Sequence, residues 1–218
     1  MIRISSLSTI KSRLNVFRAM RSELQQVTIN VFLIFIAFIQ YLNRIGAKFI
    51  IYSAINKDLI EITTSRFWLL NLLFLLRKHT LFSFNTLIDY TAIDYPGKHL
   101  RFELVVFLLS NSYNVRIKIR FFTNDLYSIH TLAGLYPITF WLEREIWDMF
   151  GLVFENNGDL RRILTDYGFL GHPLRKDFPL TGYSEIFFDD FKRTIVSAQV
   201  SLAQEYRYYI LQNPWKRP

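Results

Sequence analysis

The segment 141–183 decides the fold. It begins W-L-E-R-E-I-W-D-M-F-G (141–151) and ends D-L-R-R-I-L-T-D-Y-G-F-L-G-H-P-L-R-K-D-F-P-L-T-G-Y (159–183). The first part has the spacing of a short amphipathic helix. The second part is interrupted by glycine and proline too often to form one regular element. We therefore expect a helix followed by an ordered, extended loop.

The predicted helix has one apolar side. At 100° per residue, that side carries Leu142, Ile146, Met149 and Phe150. Gly151 is a natural stop for the helix. Arg144 and Asp148 lie four residues apart on the other side, where we expect them to form a weak, exposed ion pair.

The loop carries alternating charges that can hold it in place. Arginine binds carboxylates and main-chain carbonyls through its planar fork, so it can fix a loop that has no ladder of hydrogen bonds. The loop also has more apolar side chains than a free loop needs. We expect it to lie on its own domain or on a second protein.

These motifs resemble the family of the 30-kDa peripheral-arm subunit of respiratory complex I, called NADH dehydrogenase subunit nine in mitochondria. The resemblance extends back through F-N-T-L-I-D-Y-T-A-I-D-Y-P and L-R-F-E-L-V-V-F-L-L-S and forward to L-A-Q-E-Y-R. It covers roughly Phe84 to Trp215. The chain has Asn156, Asn157 and Gly158 where the family usually has Gly-His-Pro, and Leu170 where it usually has glutamate.

The resemblance implies a structural subunit of NADH:ubiquinone oxidoreductase, a proton-translocating enzyme, with no active site of its own. It places the chain in the peripheral arm, on the matrix side of the mitochondrial inner membrane. The partners would be the quinone-module and iron–sulfur subunits, and FMN and the iron–sulfur clusters would be held by other chains. The implied interface or structural positions are Trp141, Glu143, Arg144, Glu145, Asp148, Arg161, Arg162, Asp166, His172, Arg175, Lys176 and Asp177.

Composition agrees with that expectation. The 218 residues include no cysteine, so the chain has no thiolate for a cluster or a disulfide. The net charge of +8 allows nucleic acid, anionic lipid or acidic protein as partners, but no run of five basic residues occurs.

The remaining patterns predict an α+β fold, with helices on one face of a mostly antiparallel mixed sheet and a long extended tail. We expect a basic extension and first helix (1–45), a core domain (46–150), and a tail that wraps partner subunits (151–218). Val27–Ile39 is apolar but too short to span a membrane, so no transmembrane helix is expected. Strands are expected at Ala47–Ile55, Leu59–Thr63, His99–Leu109 and Val115–Phe121, with a helix at Arg66–Lys78.

Two other functional classes stay open from the residues alone. Arg116, Lys118 and Arg120 form a basic stripe on one strand, which would suit a ribosomal type of RNA-binding protein. Glu145 and Asp148 are neighbours on the helix and could serve a hydrolase. The four histidines lack metal-ligand spacing, and no glycine-rich phosphate loop is present. We expect His172 to bind loop backbone through its ring.

Overall fold

The computed structural model describes residues 36–56, 59–204, 206–207, 209 and 215. The basic segment and most of the predicted apolar stretch Val27–Ile39 lie outside the described residues. Helix α1 is described over residues 36–46, and it packs Ile39 and Leu42 into the core. Within the described ranges, no helix has both the length and the hydropathy needed to cross a bilayer.

The centre of the molecule is a five-stranded sheet in the order β1-β2-β5-β4-β3. Its strands are β1 (Ile50–Asn56), β2 (Leu59–Thr64), β3 (Thr86–Asp94), β4 (Phe102–Ser110) and β5 (Val115–Thr123). Within this sheet β2 and β5 pair in parallel, and the other neighbours are antiparallel. The predicted α+β class with a mostly antiparallel sheet is therefore confirmed.

Strand β5 shows why the sheet has two different faces. Val115, Ile117, Ile119 and Phe121 alternate along the strand and are buried beneath the helices. Such period-two burial is what a strand covered on one side produces. The basic side chains between them face the other side, as the sequence predicted.

Helices lie on the buried face. Helix α2 (Leu69–Lys78) buries four leucines and leaves Leu70 and Phe74 exposed. The predicted start at Arg66 was three residues too early, because residues 66–68 form a turn in which the Trp68 N–H donates to the Ser65 carbonyl. Helix α3 (Thr139–Phe150) comes after β5 and a short strand at Ile129–His130. It buries Ile146 and Phe150, with Leu142 and Met149 packed against the core.

The opposite face of the sheet neutralises most of its own charge. Lys118 Nζ lies 3.6 Å from a Glu61 carboxylate oxygen, and Arg120 Nη2 lies 3.4 Å from the other. Arg120 also lies 3.8 Å from Glu103. The basic stripe is thus partly an internal ion network, which weakens it as a phosphate-binding surface.

The tail contains regular structure that the sequence did not predict. Strand β7 (Phe154–Glu155) pairs in parallel with β6 (Ile129–His130), and β8 (Ser184–Asp189) forms a hairpin with β9 (Thr194–Gln199). The turn of that hairpin contains no glycine or proline. Instead, the Asp189 carboxylate accepts the Phe191 N–H, and Arg193 adopts a positive φ of 49°. Such a turn gives little sequence signal.

Candidate functional site

Asp148 is the centre of the junction between α3 and the tail. Its side chain is fully buried. Oδ2 accepts the N–H groups of Ile163, Leu164 and Thr165 at 3.1, 2.8 and 3.0 Å. Oδ1 accepts the Thr165 hydroxyl at 2.7 Å and Arg162 Nη1 at 3.0 Å. One carboxylate thus fixes the backbone of a loop that has no strand or helix.

These hydrogen bonds also set the charge state of Asp148. Burial alone raises the pKa of a carboxyl, because it removes water from the charged form. Here the hydrogen bonds from Thr165, Leu164 and Ile163 outweigh burial and lower the Asp148 pKa to about 2. The group is therefore a permanent anion at neutral pH.

The tail also caps the C-terminal end of α3. The last four carbonyls of a helix have no partner inside the helix. Here the Trp147 carbonyl accepts the Gly151 N–H, and the Met149 carbonyl accepts the Leu174 N–H at 3.1 Å. His172 Nδ1 lies 3.0 Å from the Asp148 carbonyl, and Arg175 Nε donates to the Phe150 carbonyl at 2.6 Å.

His172 acts here as a donor. A carbonyl oxygen can only accept, so Nδ1 carries the proton. Burial, together with the nearby Arg175 and Arg162 charges, lowers the His172 pKa despite the favourable bond to the carbonyl. The ring is therefore a neutral Nδ1–H tautomer at neutral pH.

Gly151 is the position that lets the tail approach the helix end. Its φ is +76°, in the left-handed region that a helix C-cap favours. A Cβ at this position would lie 2.5 Å from His172 Nε2 and 2.7 Å from an Arg175 nitrogen. The residue is thus constrained twice, by backbone conformation and by space.

Glu143 makes a second buried cluster one turn away. Its Oε1 accepts the Leu132 N–H at 2.7 Å, and its Oε2 accepts the Thr131 hydroxyl at 2.6 Å and the Asn157 amide at 2.8 Å. This carboxylate joins α3 to the β6 segment and to the start of the tail.

The predicted ion pair between Arg144 and Asp148 is wrong. Arg162 occupies the carboxylate instead, and Arg144 Nε donates to the Arg161 carbonyl at 3.1 Å. Both Arg144 and Asp148 are buried, because the loop 161–165 covers the side of α3 that the periodicity left to solvent. The guanidinium of Arg144 lies 4.9 Å from the Trp141 ring centroid.

A second anchor ties the tail to the sheet. The Asp94 carboxylate at the end of β3 accepts Arg101 Nε at 2.6 Å and Nη2 at 2.8 Å. Its Oδ2 also accepts the Lys176 N–H at 2.8 Å, and Arg101 reaches Asp177 at 3.0 Å. The bonds from Arg101, then the Lys176 N–H, lower the Asp94 pKa despite burial.

The structure does not gather every predicted residue into this site. Asp148, Arg162, His172 and Arg175 converge at the end of α3, whereas Asp177 and the Lys176 backbone belong to the second anchor. Arg161 is exposed and pairs with Asp159 at 2.6 Å. The remaining predicted side chains, Trp141, Glu145, Asp166 and Lys176, are exposed.

Several residues that hold the tail in place were not predicted from the sequence. Asp94 and Arg101 flank the Pro96-Gly97 turn, but their partner in the tail is 82 positions away. Thr131, Asn157 and Thr165 are small polar residues of a kind found in any loop. The nearest sequence signal is the Pro96-Gly97 turn, which marks the end of the strand that carries Asp94 but not the role of that acid.

The arrangement offers little for acid–base chemistry. Glu145 is exposed, whereas Asp148 is buried with its acceptor positions occupied, so the two do not form a paired-carboxylate centre. Among the described residues, no group of three or more His, Asp or Glu side chains is placed to hold a metal ion.

Sequence comparison identifies the protein family that this chain matches. Residues 62–184 match the family model described as the 30-kDa subunit of the respiratory-chain NADH dehydrogenase. The chain belongs to this complex I family. The matched range includes both anchors, the whole of α3 and the tail as far as the start of β8.

Individual members of the 30-kDa family support the assignment. The chain is 47% identical over 154 residues to "NADH dehydrogenase [ubiquinone] iron-sulfur protein 3" of Beta trigyna, covering 71% of this chain and 80% of the relative. The Arabidopsis thaliana protein of the same name is also 47% identical, over 71% of this chain and 81% of its own. "NADH-ubiquinone oxidoreductase subunit 9" of Reclinomonas americana is 46% identical over 68% of this chain and 73% of its own.

A solved structure shows the same fold. A chain of the membrane-bound sulfane sulfur reductase, an archaeal respiratory membrane complex, superposes with a TM-score of 0.57 at 23% identity. The match covers 66% of this chain and 85% of that one.

Asn156 forms the turn that leads to Asn157. Its φ is +62°. Asparagine is a side chain that tolerates this left-handed conformation well. The Asn157 amide that follows donates to Glu143.

Proposed function

We propose that this chain is a non-redox structural subunit of the peripheral arm of NADH:ubiquinone oxidoreductase. In this role it supports the quinone-module and iron–sulfur subunits while they carry electrons from NADH to ubiquinone. It holds no redox centre, and its place is on the matrix side of the mitochondrial inner membrane. Membership of the 30-kDa family is the basis for this setting.

The observation that carries the proposal is the state of the tail. Its backbone is fixed to the domain at Asp148 and at Asp94, yet many of its apolar side chains face solvent. Tyr167 and Phe191 are fully exposed. A loop held this firmly while presenting apolar groups has the character of an interface.

The chemistry of the site supports a structural role. The buried acids Glu143 and Asp148 have their oxygens occupied by donors from the chain itself. The chain also has no cysteine to bind an iron–sulfur cluster. The proposal assigns the tail 151–218 to contacts with neighbouring subunits.

The test is to weaken the exposed tail without disturbing the fold. Serine in place of both Tyr167 and Phe191 removes two rings that make no buried contact in the free chain. We expect the variant chain to fold normally but to be depleted from the band that stains for NADH oxidation in native gels. Cluster signals in electron paramagnetic resonance, per assembled complex, should be unchanged.

The matched control is Leu126→Ser, which removes an exposed apolar side chain (83% accessible) from a loop of the core domain. Undiminished assembly of the tail variant would contradict the proposal. So would an assembled variant complex that lacks a cluster signal.

A further inference from the structure

A cleft lies between the start of α3 and the loop that follows Arg161. Its volume is about 750 Å³, and it is lined by Trp141, Arg144, Arg161, Arg162 and residues 163–168. The arginines are its main charged groups.

Two of the three arginines are already matched. Arg161 pairs with Asp159, and Arg162 pairs with Asp148. Arg144 has no carboxylate within 4.0 Å among the described residues, although it is only 7% exposed. Its one hydrogen bond within that part of the chain runs from Nε to the Arg161 carbonyl.

A largely buried guanidinium without a salt bridge is less favourable than a paired one, because it has lost much of its water and has no carboxylate bonded to it. The acids beside the cleft do not pair with Arg144. The hydrogen bond from Arg161, with help from the nearby Arg144 charge, lowers the Asp159 pKa, but Asp159 is bonded to Arg161 and not to Arg144. Asp166 is exposed to water. The cleft therefore lacks a carboxylate bonded to Arg144.

The rim of the cleft is aromatic and aliphatic. Trp141 is 59% exposed, Leu164 is 58% exposed and Tyr167 is fully exposed. Trp, Tyr and Arg are the residue types that most often dominate the energetics of protein interfaces. A rim of this kind fits a peptide segment better than a small hydrated anion, which would leave the rings in water.

We propose that this cleft receives an aspartate or glutamate side chain from a neighbouring subunit. Its carboxylate binds the free Nη groups of Arg144, and the apolar residues beside it lie on Trp141 and Tyr167. The proposal rests on the proposed function, since it assumes that the chain works inside an assembly. It adds the chemistry of one contact that the assembly must contain.

The experiment uses the assembled complex, with p-benzoylphenylalanine in place of Trp141. After irradiation, mass spectrometry identifies the peptide that becomes cross-linked at the cleft. We expect a segment of another subunit that contains an acidic residue. A cross-link to a segment without an acid, to lipid or to nucleotide would overturn the proposal, as would the absence of any cross-link.

Charge exchange then tests the pairing. Arg144→Glu should lower the amount of chain in the NADH-oxidising band at least ~tenfold, as expected when a buried interfacial charge pair is broken. Reversing the cross-linked acid to arginine should restore assembly in the Arg144→Glu background. The matched control is Arg116→Glu, at an exposed β5 arginine that has no ion pair among the described residues and should assemble normally.

The proposal can still be tested if Arg144→Glu fails to fold. Replacing the cross-linked acid by its amide leaves this chain unaltered and should lower assembly in the same way. If that amide variant assembles fully, the pairing is wrong while the structural role stands. If the unmodified chain is absent from the NADH-oxidising band, the proposed function itself fails.

Discussion

A carboxylate at position 148 accepts hydrogen bonds from both sides at once. Three main-chain N–H groups face Oδ2, while Thr165 and Arg162 face Oδ1. An amide of the same size has one oxygen and one NH₂ group. In either orientation, the NH₂ group of an asparagine would face N–H or O–H donors of the loop, so only aspartate fits this position.

The first prediction concerns Asp148→Asn. It should lower the free energy of unfolding by about 3 kcal/mol, because the half-buried Arg162 and several N–H groups lose part of their acceptor. Urea denaturation of the full chain at neutral pH measures this change. The control is Asp166→Asn, which changes an exposed acid in the same loop and should alter stability little.

The pH dependence of stability in wild type and in Asp148→Asn tests the same contact a second time. The folded pKa of Asp148 is about 2, below the ordinary value of 3.8. Its contribution is therefore complete above about pH 4 and is lost as the pH falls through about 2, amounting to about 2 kcal/mol. The difference between wild type and Asp148→Asn should shrink over that range, and a constant difference would refute the assignment.

At the scale of elements, α3 and the tail form one unit. The helix alone would leave its last carbonyls bare, and the tail alone would have no ladder of hydrogen bonds. His172, Leu174 and Arg175 satisfy the carbonyls, while Asp148 satisfies the loop. The tail supplies donors for the helix carbonyls, and the helix supplies an acceptor for the loop N–H groups. A change at Gly151, where the two elements meet, should therefore disturb both sets of hydrogen bonds.

The second prediction compares two glycines with the same backbone conformation. Gly168 has a φ of +75° and open space around it, whereas a Cβ at Gly151 would meet His172 and Arg175. Gly168→Ala should cost about 1 kcal/mol, the penalty for a left-handed alanine. Gly151→Ala should cost about 3 kcal/mol, since it adds the loss of hydrogen bonds at the helix end.

Thermal and urea unfolding of the two variants check that difference. Protection of the Leu174 amide from hydrogen exchange should fall in Gly151→Ala and stay unchanged in Gly168→Ala. Equal losses of stability in the two variants would show that the contact between tail and helix contributes nothing.

How far the sequence predicted these elements depends on the range of the contacts involved. The alternation of β5 and the apolar side of α3 are local patterns, and both were confirmed. The Arg144–Asp148 pair failed because a helical period identifies only one buried side, whereas the tail buries a second. The contact between Lys176 and Asp94 joins residues so far apart in the chain that no periodic pattern can contain it.

At the scale of the whole molecule, the net charge is +8, and within the described ranges acids pair with several of the basic side chains. Glu61 and Glu103 neutralise the middle of the outer sheet face, and acids hold Arg101 and Arg162 at the two anchors. Among the described residues, the Nη groups of Arg144 have no hydrogen-bond partner, and many apolar groups of the tail are exposed. Both belong to the half of the molecule that contains α3 and the residues after it.

The last prediction concerns the anchor at the sheet. Asp94→Asn removes the charge that holds Arg101 and weakens acceptance of the Lys176 N–H, so the tail beyond Arg175 should open more often while the α3 end stays capped. Local opening of this kind exposes backbone to proteases without global unfolding. Limited trypsin digestion of the full chain should therefore cut faster after Lys176, leaving a protected core fragment.

The control for this experiment is Asp159→Asn, which removes an exposed pair with Arg161 and should leave the cleavage rate unchanged. The urea midpoint of each variant separates local from global effects. If Asp94→Asn is cleaved faster only in proportion to its loss of global stability, the anchor stabilises the whole fold and does not hold the tail separately. If cleavage after Lys176 rises well beyond that proportion, Asp94 holds the tail in place, and the surface that the tail presents depends on a carboxylate at the far edge of the sheet.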